Sequence, residues 1–269
     1  MGTGGGGRMP QVDVVIPVYG RPDLLEKCLI ALKAQTFTNY AVTVVDDATP
    51  GDDGTIAHIC QHHQARLLVN NVNSGFPKTV NRGVRKCDAP YLLILNSDVE
   101  LRPDALGILV GELNADPEVD IVAPMLLFAN DSPSGPAGRI QHVGMAFNVT
   151  ATPVHVFLAW SIDNPRAVAR RDDWPAVSGA CFLTRRVTWR KVGGFQECYG
   201  RGTYEDVEYC VTVRKVLGHK IVVNPAAIGT HVVGASATQE GGGFDIRGNH
   251  QVFITRMRQF VLHDDYHFW

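Results

Sequence analysis

Tyr91-Leu-Leu-Ile-Leu-Asn-Ser-Asp98 is the stretch whose reading decides the fold. Its first five residues are an unbroken apolar run behind Pro90, and the run stops abruptly in Asn96-Ser97-Asp98. A short apolar run without alternation predicts a strand covered on both faces, the kind a parallel sheet uses. Open α/β sheets bind their ligands beyond the carboxyl ends of the strands. Asp98 is therefore expected as a carboxylate carried by a rigid element to a ligand site. The competing reading makes it a turn residue on the way to Arg102-Pro103-Asp104, since Asp is common in turns.

Upstream, Val12-Asp-Val-Val-Ile-Pro-Val18 predicts a β-branched strand. Residues 21–33 predict a helix, with Pro22 in its first turn and Leu25, Cys28, Leu29 and Leu32 on one face. Further strands are expected at 41–45 and 66–69, and helices at 55–64, 78–86 and 104–114. An apolar run occupies 119–128. Strands alternating with helices predict an α/β fold with a mostly parallel, right-handed central sheet flanked by helices.

The pattern changes after Phe128. Residues 130–138 are a loop of breakers, and the chain to about Trp174 has no readable period. A strand is expected at 175–183, then a helix at 185–192 ending at Gly193-Gly194. A second helix at 205–217 stops at Gly218. Late strands follow at 219–223 and 226–233. Residues 249–263 carry Val252, Phe253, Arg256, Phe260 and Val261 in an amphipathic helical pattern. The domain reading is a flexible tail at 1–10, one domain over 11–235 with halves 11–128 and 129–235, and an extension over 236–269.

The chain has 269 residues, 45% of them hydrophobic, enough for one large α/β domain. A net charge of −2 gives no footprint for nucleic acid. No apolar run approaches the roughly 20 residues of a membrane span. The Gly-rich start lacks the apolar region of a secretory leader, so a cytoplasmic location is expected. The six cysteines have no paired spacing and are expected to be free thiols. Cys60 with His58, His62 and His63 lacks zinc spacing and reads as a solvated helix end.

Four groups of residues can carry chemistry. Pro17-Val-Tyr-Gly20 and Asp46-Asp47 end neighbouring strands, where a carboxylate could accept a base imide or ribose hydroxyl. Asp98 alone could not hold a divalent cation tightly, but such ions are usually held by one or two carboxylates plus substrate phosphates. Glu205-Asp206 opens a helix after Gly193-Gly-Phe195, as either a dipole-favoured helix start or a general base. The helix N-terminus is expected to lower the Asp206 pKa. His231, near the end of a late strand, is a ligand or a structural histidine.

In order, Val15-Ile-Pro-Val-Tyr19, Val44-Val-Asp-Asp47, Asn73-Ser-Gly-Phe76 with Asn81-Arg-Gly83, Leu93-Ile-Leu-Asn-Ser-Asp98, Val177-Ser-Gly-Ala-Cys-Phe182, Val192-Gly-Gly-Phe195, Tyr204-Glu-Asp206 and His231 resemble the family 2 glycosyltransferases of GT-A fold. The resemblance is closest to bacterial surface-polysaccharide transferases of the rhamnosyl and galactofuranosyl type. It implies an inverting transferase, moving sugar from a UDP- or dTDP-linked donor to a hydroxyl of a saccharide or lipid-linked saccharide. It implies a nucleotide site of Pro17, Val18, Tyr19, Asp46, Asp47, Lys78, Asn96 and Ser97, and Mn²⁺ or Mg²⁺ held by Asp98 and His231. It implies Asp206 as base, with Glu205 beside it, and Trp160, Gly179 and Tyr204 toward the acceptor. Further domains, a homo-oligomer and peripheral contact with the inner face of a membrane fit the same resemblance.

Two departures stand out. The family's acidic motif reads Asn96-Ser97-Asp98, without its first acid, and Gly20 replaces the Asn common after the Tyr. The first motivates a rival reading, a catalytically silent nucleotide-sugar-binding domain of a larger assembly. A nicotinamide-dependent oxidoreductase is disfavoured, because Tyr19-Gly-Arg-Pro22 lacks the glycine trio.

Overall fold

Every residue of β1, Val12–Val18, is buried, as its β-branched run requires. In the computed structural model, which describes residues 9–169, 173–234 and 243–261, it lies near the middle of the main sheet. Most of the expected tail, residue 235 at the end of the expected domain, and residues 236–242 and 262–269 of the expected extension lie outside the described residues.

The first half follows the sequence closely. After β1 come α1 (Pro22–Lys33), β2 (Tyr40–Asp46), α2 (Thr55–His62), β3 (Arg66–Val69), α3 (Phe76–Val84) and β4 (Tyr91–Leu95). Next are β5 (Val99–Leu101), α4 (Ala105–Ala115) and β6 (Val119–Phe128). On α1, Leu25, Cys28, Leu29 and Leu32 are buried, as their spacing predicts. Strand β4 is covered on both faces. Leu92 and Ile94 join one apolar cluster with Val80 and Val84 of α3, while Leu93 and Leu95 join the other with Leu25 of α1 and Leu106 of α4.

The second half holds β7 (Ile140–His142), β8 (Met145–Phe147), β9 (Pro153–His155), β10 (Cys181–Arg185), α5 (Arg186–Val192), α6 (Glu205–Val211), β11 (Lys220–His231) and α7 (Ile246–Met257). The main sheet runs β3-β2-β1-β4-β10-β6-β11-β5, with β7 paired to β6. Neighbours from β3 to β4 are parallel, and so are β6 and β11. Strand β10 runs antiparallel between β4 and β6, and β5 antiparallel to β11.

Several boundaries differ from the sequence reading. The strand expected at 175–183 begins only at Cys181. Residues 177–180 instead form a loop at the carboxyl end of β4, where the Asn96 N–H donates to the Ala180 carbonyl at 2.8 Å. The two expected late strands are one, β11, with its register shifted between Asn224 and Ile228. Pro225 has no N–H to give a ladder there. The helix at 205–217 is α6 followed by a wide turn, Thr212–Val216, before Gly218. Three short strands, β7 to β9, occupy the segment that has no readable period. Helix α7 starts earlier than expected, capped by Asp245, whose carboxylate accepts from the Gly248 N–H. It also ends earlier, at Met257, with one tighter turn over Arg258–Phe260 short of the expected end at 263.

All six cysteines are free. Among the described residues, no helix is long and apolar enough to cross a membrane.

Candidate functional site

The carboxyl ends of β1, β2 and β4 open onto a cavity of about 260 Å³. Pro17, Val18, Tyr19, Asp47, Asn96, Ser97 and Asp98 line it from the strand side. Gly179, Glu205, Asp206 and His231 line it from the second half of the chain. Eleven expected site residues thus share one cavity. Asp46, Lys78, Trp160 and Tyr204 do not line it.

The strand wall is held by fixed hydrogen bonds. Asp47 is buried, and its Oδ1 accepts from Asn70 Nδ2 at 2.6 Å and from the Ser74 N–H at 2.8 Å. Its Oδ2 accepts from the Gly75 N–H at 2.9 Å. A carboxylate has about four lone-pair positions, so one remains on Oδ2. Asp46 is committed to its own turn: Oδ1 accepts from the Thr49 N–H and hydroxyl, and Thr49 Oγ1 accepts from the Gly20 N–H. Lys78 lies exposed on α3. Gly75 sits where the two walls meet. A Cβ there would fall 2.1 Å from the Gly200 carbonyl oxygen, so only glycine fits.

At the end of β11, His231 Nε2 lies 3.3 Å from Asp98 Oδ1, and its Nδ1 lies 3.2 Å from Gln141 Oε1. An amide oxygen accepts only, so Nδ1 carries a proton and Nε2 faces the carboxylate. Asn96 Oδ1 is buried without a hydrogen-bond partner in the same cavity wall. Among the described residues no group of three or more His, Cys, Asp or Glu side chains could enclose a metal. One carboxylate, one imidazole and one orphaned amide oxygen fit a hard ion only if substrate phosphates supply its other ligands.

Behind His231 lie His142 and His155, with their Nδ1 atoms 3.1 Å apart. His142 Nε2 accepts the Ser178 N–H at 3.2 Å, so its proton is on Nδ1. Burial drives the His142 pKa well below the ordinary value and lowers that of His155 to about 4, and His231 adds to both effects.

The second wall is built by the Gly-rich turn and the start of α6. The Asn81 side chain ties that turn to α3, donating to the Phe195 carbonyl at 2.8 Å and accepting the Phe195 N–H at 3.0 Å. Asp206 accepts the Gly179 N–H on Oδ2 at 2.6 Å and the Val207 N–H on Oδ1 at 2.8 Å. These amides stabilise its charge, yet burial outweighs them and raises its pKa. The lowered value expected from the helix N-terminus is therefore reversed. Glu205 is 4% exposed, and its Oε2 has no hydrogen-bond partner. Burial, with Asp206 adding to it, pushes the Glu205 carboxyl well above its ordinary range.

Tyr204 is a core residue, with its ring 5.4 Å from Phe253 and 5.6 Å from His250. Trp160 is partly exposed and packs edge-on against Phe157. Trp174 is buried over Gly144. The sequence reading missed Ser178, Arg201, Thr203 and Phe244 in the cavity lining. The pattern Gly200-Arg201-Gly202, a cation between two glycines, is a signal that could have found Arg201.

The sequence model of "Glycosyl transferase family 2" matches residues 13–191. The O-antigen biosynthesis protein RfbC of Myxococcus xanthus is 30% identical over 198 residues, which are 70% of this chain and 15% of that protein. This chain therefore spans a small part of that relative's length. The structure of GalNAc-T7 with UDP, GalNAc and Mn²⁺ aligns with a TM-score of 0.67 at 15% identity, covering 84% of this chain and 44% of that one. The mannosyltransferase PcManGT of Pyrobaculum calidifontis, solved with GDP-Man and Mn²⁺, aligns with a TM-score of 0.62 at 19% identity, covering 94% of this chain and 65% of that one. The fold is the GT-A glycosyltransferase fold.

Proposed function

The chain belongs to glycosyl transferase family 2, and from that premise we propose that it moves a sugar, with inversion, from a nucleoside-diphosphate sugar to a hydroxyl of a saccharide or lipid-linked saccharide acceptor. The observation that carries this reading is Asp206. Its carboxylate is held by two backbone N–H groups in the same cavity as the strand-end groups Pro17, Tyr19, Asp47 and Asp98.

Asp206 takes the proton of the acceptor hydroxyl as that oxygen attacks the anomeric carbon. A raised pKa makes it the stronger base, and fixing both oxygens avoids reorganisation during the transfer. Glu205 lines the same cavity, and burial, with Asp206 adding to it, favours its protonated form, which can donate a hydrogen bond to a sugar oxygen. Asp98, His231 and Asn96 would hold Mn²⁺ or Mg²⁺, which supplies charge neutralisation for the leaving diphosphate. Arg201 adds a guanidinium at the rim. The free lone pair on Asp47 Oδ2 favours a donor base with an imide N–H, so UDP or dTDP sugars are the expected donors. The RfbC name supports a polysaccharide acceptor.

The test is a panel of nucleotide sugars screened by thermal shift with Mn²⁺, followed by transfer and donor hydrolysis assays on the binders. A UDP or dTDP sugar should bind and be turned over. Equal affinity for UDP, dTDP, GDP and ADP would refute the base assignment. The absent first acid at Asn96 favours the second reading, a silent nucleotide-sugar-binding domain. Binding with neither transfer nor slow hydrolysis would establish that reading instead.

A further inference from the structure

The loop that delivers Glu205 and Asp206 is conformationally strained. Gly200 and Gly202 have φ of 59° and 134°, and the non-glycine residues Thr203 and Tyr204 follow at 80° and 73°. Side chains rarely adopt this left-handed region, and such residues persist only where their surroundings over-determine them. Glycine explains two of the four positions. The other two need an external constraint.

That constraint comes from α7, beyond the residues that the family model matches. Asn249 is buried in the first turn of this helix. Its Nδ2 lies 2.6 Å from the Gly202 carbonyl, 3.0 Å from the Tyr199 carbonyl and 3.0 Å from Thr203 Oγ1. One amide group thus meets oxygens from both ends of the strained turn. On the next turn of α7, Phe253 packs against Tyr204, the N-cap residue of α6. Asp206 sits two residues past that cap, with its carboxylate already fixed by Gly179.

We propose that Asn249 is a positioning residue for the transfer: its amide locks the 199–204 turn in the left-handed form that sets Glu205 and Asp206 in the cavity. This rests on the reading of Asp206 as base. It goes further in making α7 part of the working site, so that a fragment ending after β11 would keep Glu205, Asp206 and His231 but lack the clamp.

The experiment uses the full chain carrying Asn249→Asp, which keeps the shape but replaces the donor by an acceptor, and Asn249→Ala as a second variant. Nucleoside diphosphate affinity is read by calorimetry, melting temperature by scanning, and kcat and KM with the donor found in the screen. Carbon-13 labelling of the carboxyl groups follows the titration of Glu205 and Asp206 without turnover. Well below the melting temperature, kcat should fall about 10- to 100-fold with diphosphate affinity little changed, because small misplacements of catalytic groups cost that much. Both carboxyl titrations should move toward ordinary values as the turn relaxes and admits water. A lower melting temperature with kcat and both titrations unchanged in either variant would overturn the proposal. If the wild type turns over no nucleotide sugar, the functional reading fails, and the carboxyl titrations still decide the role of Asn249.

Discussion

The two walls of the cavity both carry buried acids, but they treat them in opposite ways. On the strand wall, Asp47 receives three hydrogen bonds, two of them from the backbone of the 74–75 turn. On the facing wall, Asp206 is pulled upward in pKa by burial despite its backbone bonds, and Glu205 has an oxygen with no partner. An acid whose charge the fold satisfies stabilises the fold. An acid left short of partners costs stability, and is retained where a proton must be taken up or given.

The largest predicted effect comes from breaking the second wall chemically without breaking it structurally. Asp206→Asn keeps the shape and cannot take a proton. Transfer should fall about 10²- to 10⁴-fold, the usual loss for a general base, with donor affinity near normal and melting temperature only slightly changed, since the amide keeps one of the two backbone N–H partners and removes a buried charge. A single sample measured for all three decides it. Near-normal transfer would move the role to Glu205.

The opposite result is expected at Asp47. Asp47→Ala strips the partner from Asn70 Nδ2 and from the Ser74 and Gly75 N–H groups. Leaving buried donors unsatisfied costs about 1–3 kcal/mol each before relaxation, so a loss of roughly 3 kcal/mol in urea unfolding is expected. If Asp47→Ala is as stable as the wild type while Asp206→Asn unfolds, the contrast between the walls is drawn the wrong way round.

The same contrast marks what the sequence could reveal. Strands β1, β4 and β6 announce themselves, because a strand buried on both faces must be an apolar run, and the residues ending such a run face the ligand crevice. Ser97 and Asp98 were legible for that reason. The second wall left weaker traces. Strands β7 to β9 have three residues each, too few for any period. Gln141 and His142 gain their meaning only when β7 pairs with β6 and brings them to His231 and Ser178. The left-handed Thr203 and Tyr204 are invisible because nothing in their identity favours that backbone. The Asp206 pKa was misjudged for a related reason: a helix N-terminus is local and readable, whereas desolvation by the whole fold is not.

Asp98 stands between the walls, on a strand end yet in contact with His231 of the second half. Asp98→Ala should weaken Mn²⁺-dependent nucleoside diphosphate binding roughly tenfold or more, as loss of one charged partner does. It should leave the weaker binding in EDTA unchanged. Calorimetry with and without the ion reads both arms. Equal binding in all four conditions would remove the ion from this site.

The smallest effect is a pH dependence that should differ in sign between the two kinds of buried group. Glu205 and Asp206 have folded pKa values raised above their ordinary 4.5 and 3.8, so the folded chain holds these protons more tightly than the unfolded chain. Their contribution to stability is complete below those ordinary values and is lost as pH rises through the raised ones. His155 behaves oppositely, with its value lowered from 6.5 to about 4. Its neutral form favours the fold above pH 6.5, and that contribution is lost as pH falls toward 4. Glu205→Gln removes the Glu205 share of the alkaline limb and leaves that of Asp206 and the acid limb in place. Its melting temperature should gain on the wild type as pH rises, and His155→Asn should gain on the wild type as pH falls. Melting curves recorded across that range test both limbs. Curves for Glu205→Gln that run parallel to the wild type at every pH would mean that Glu205 titrates as an ordinary acid, and the distinction between the two walls would then rest on Asp206 alone.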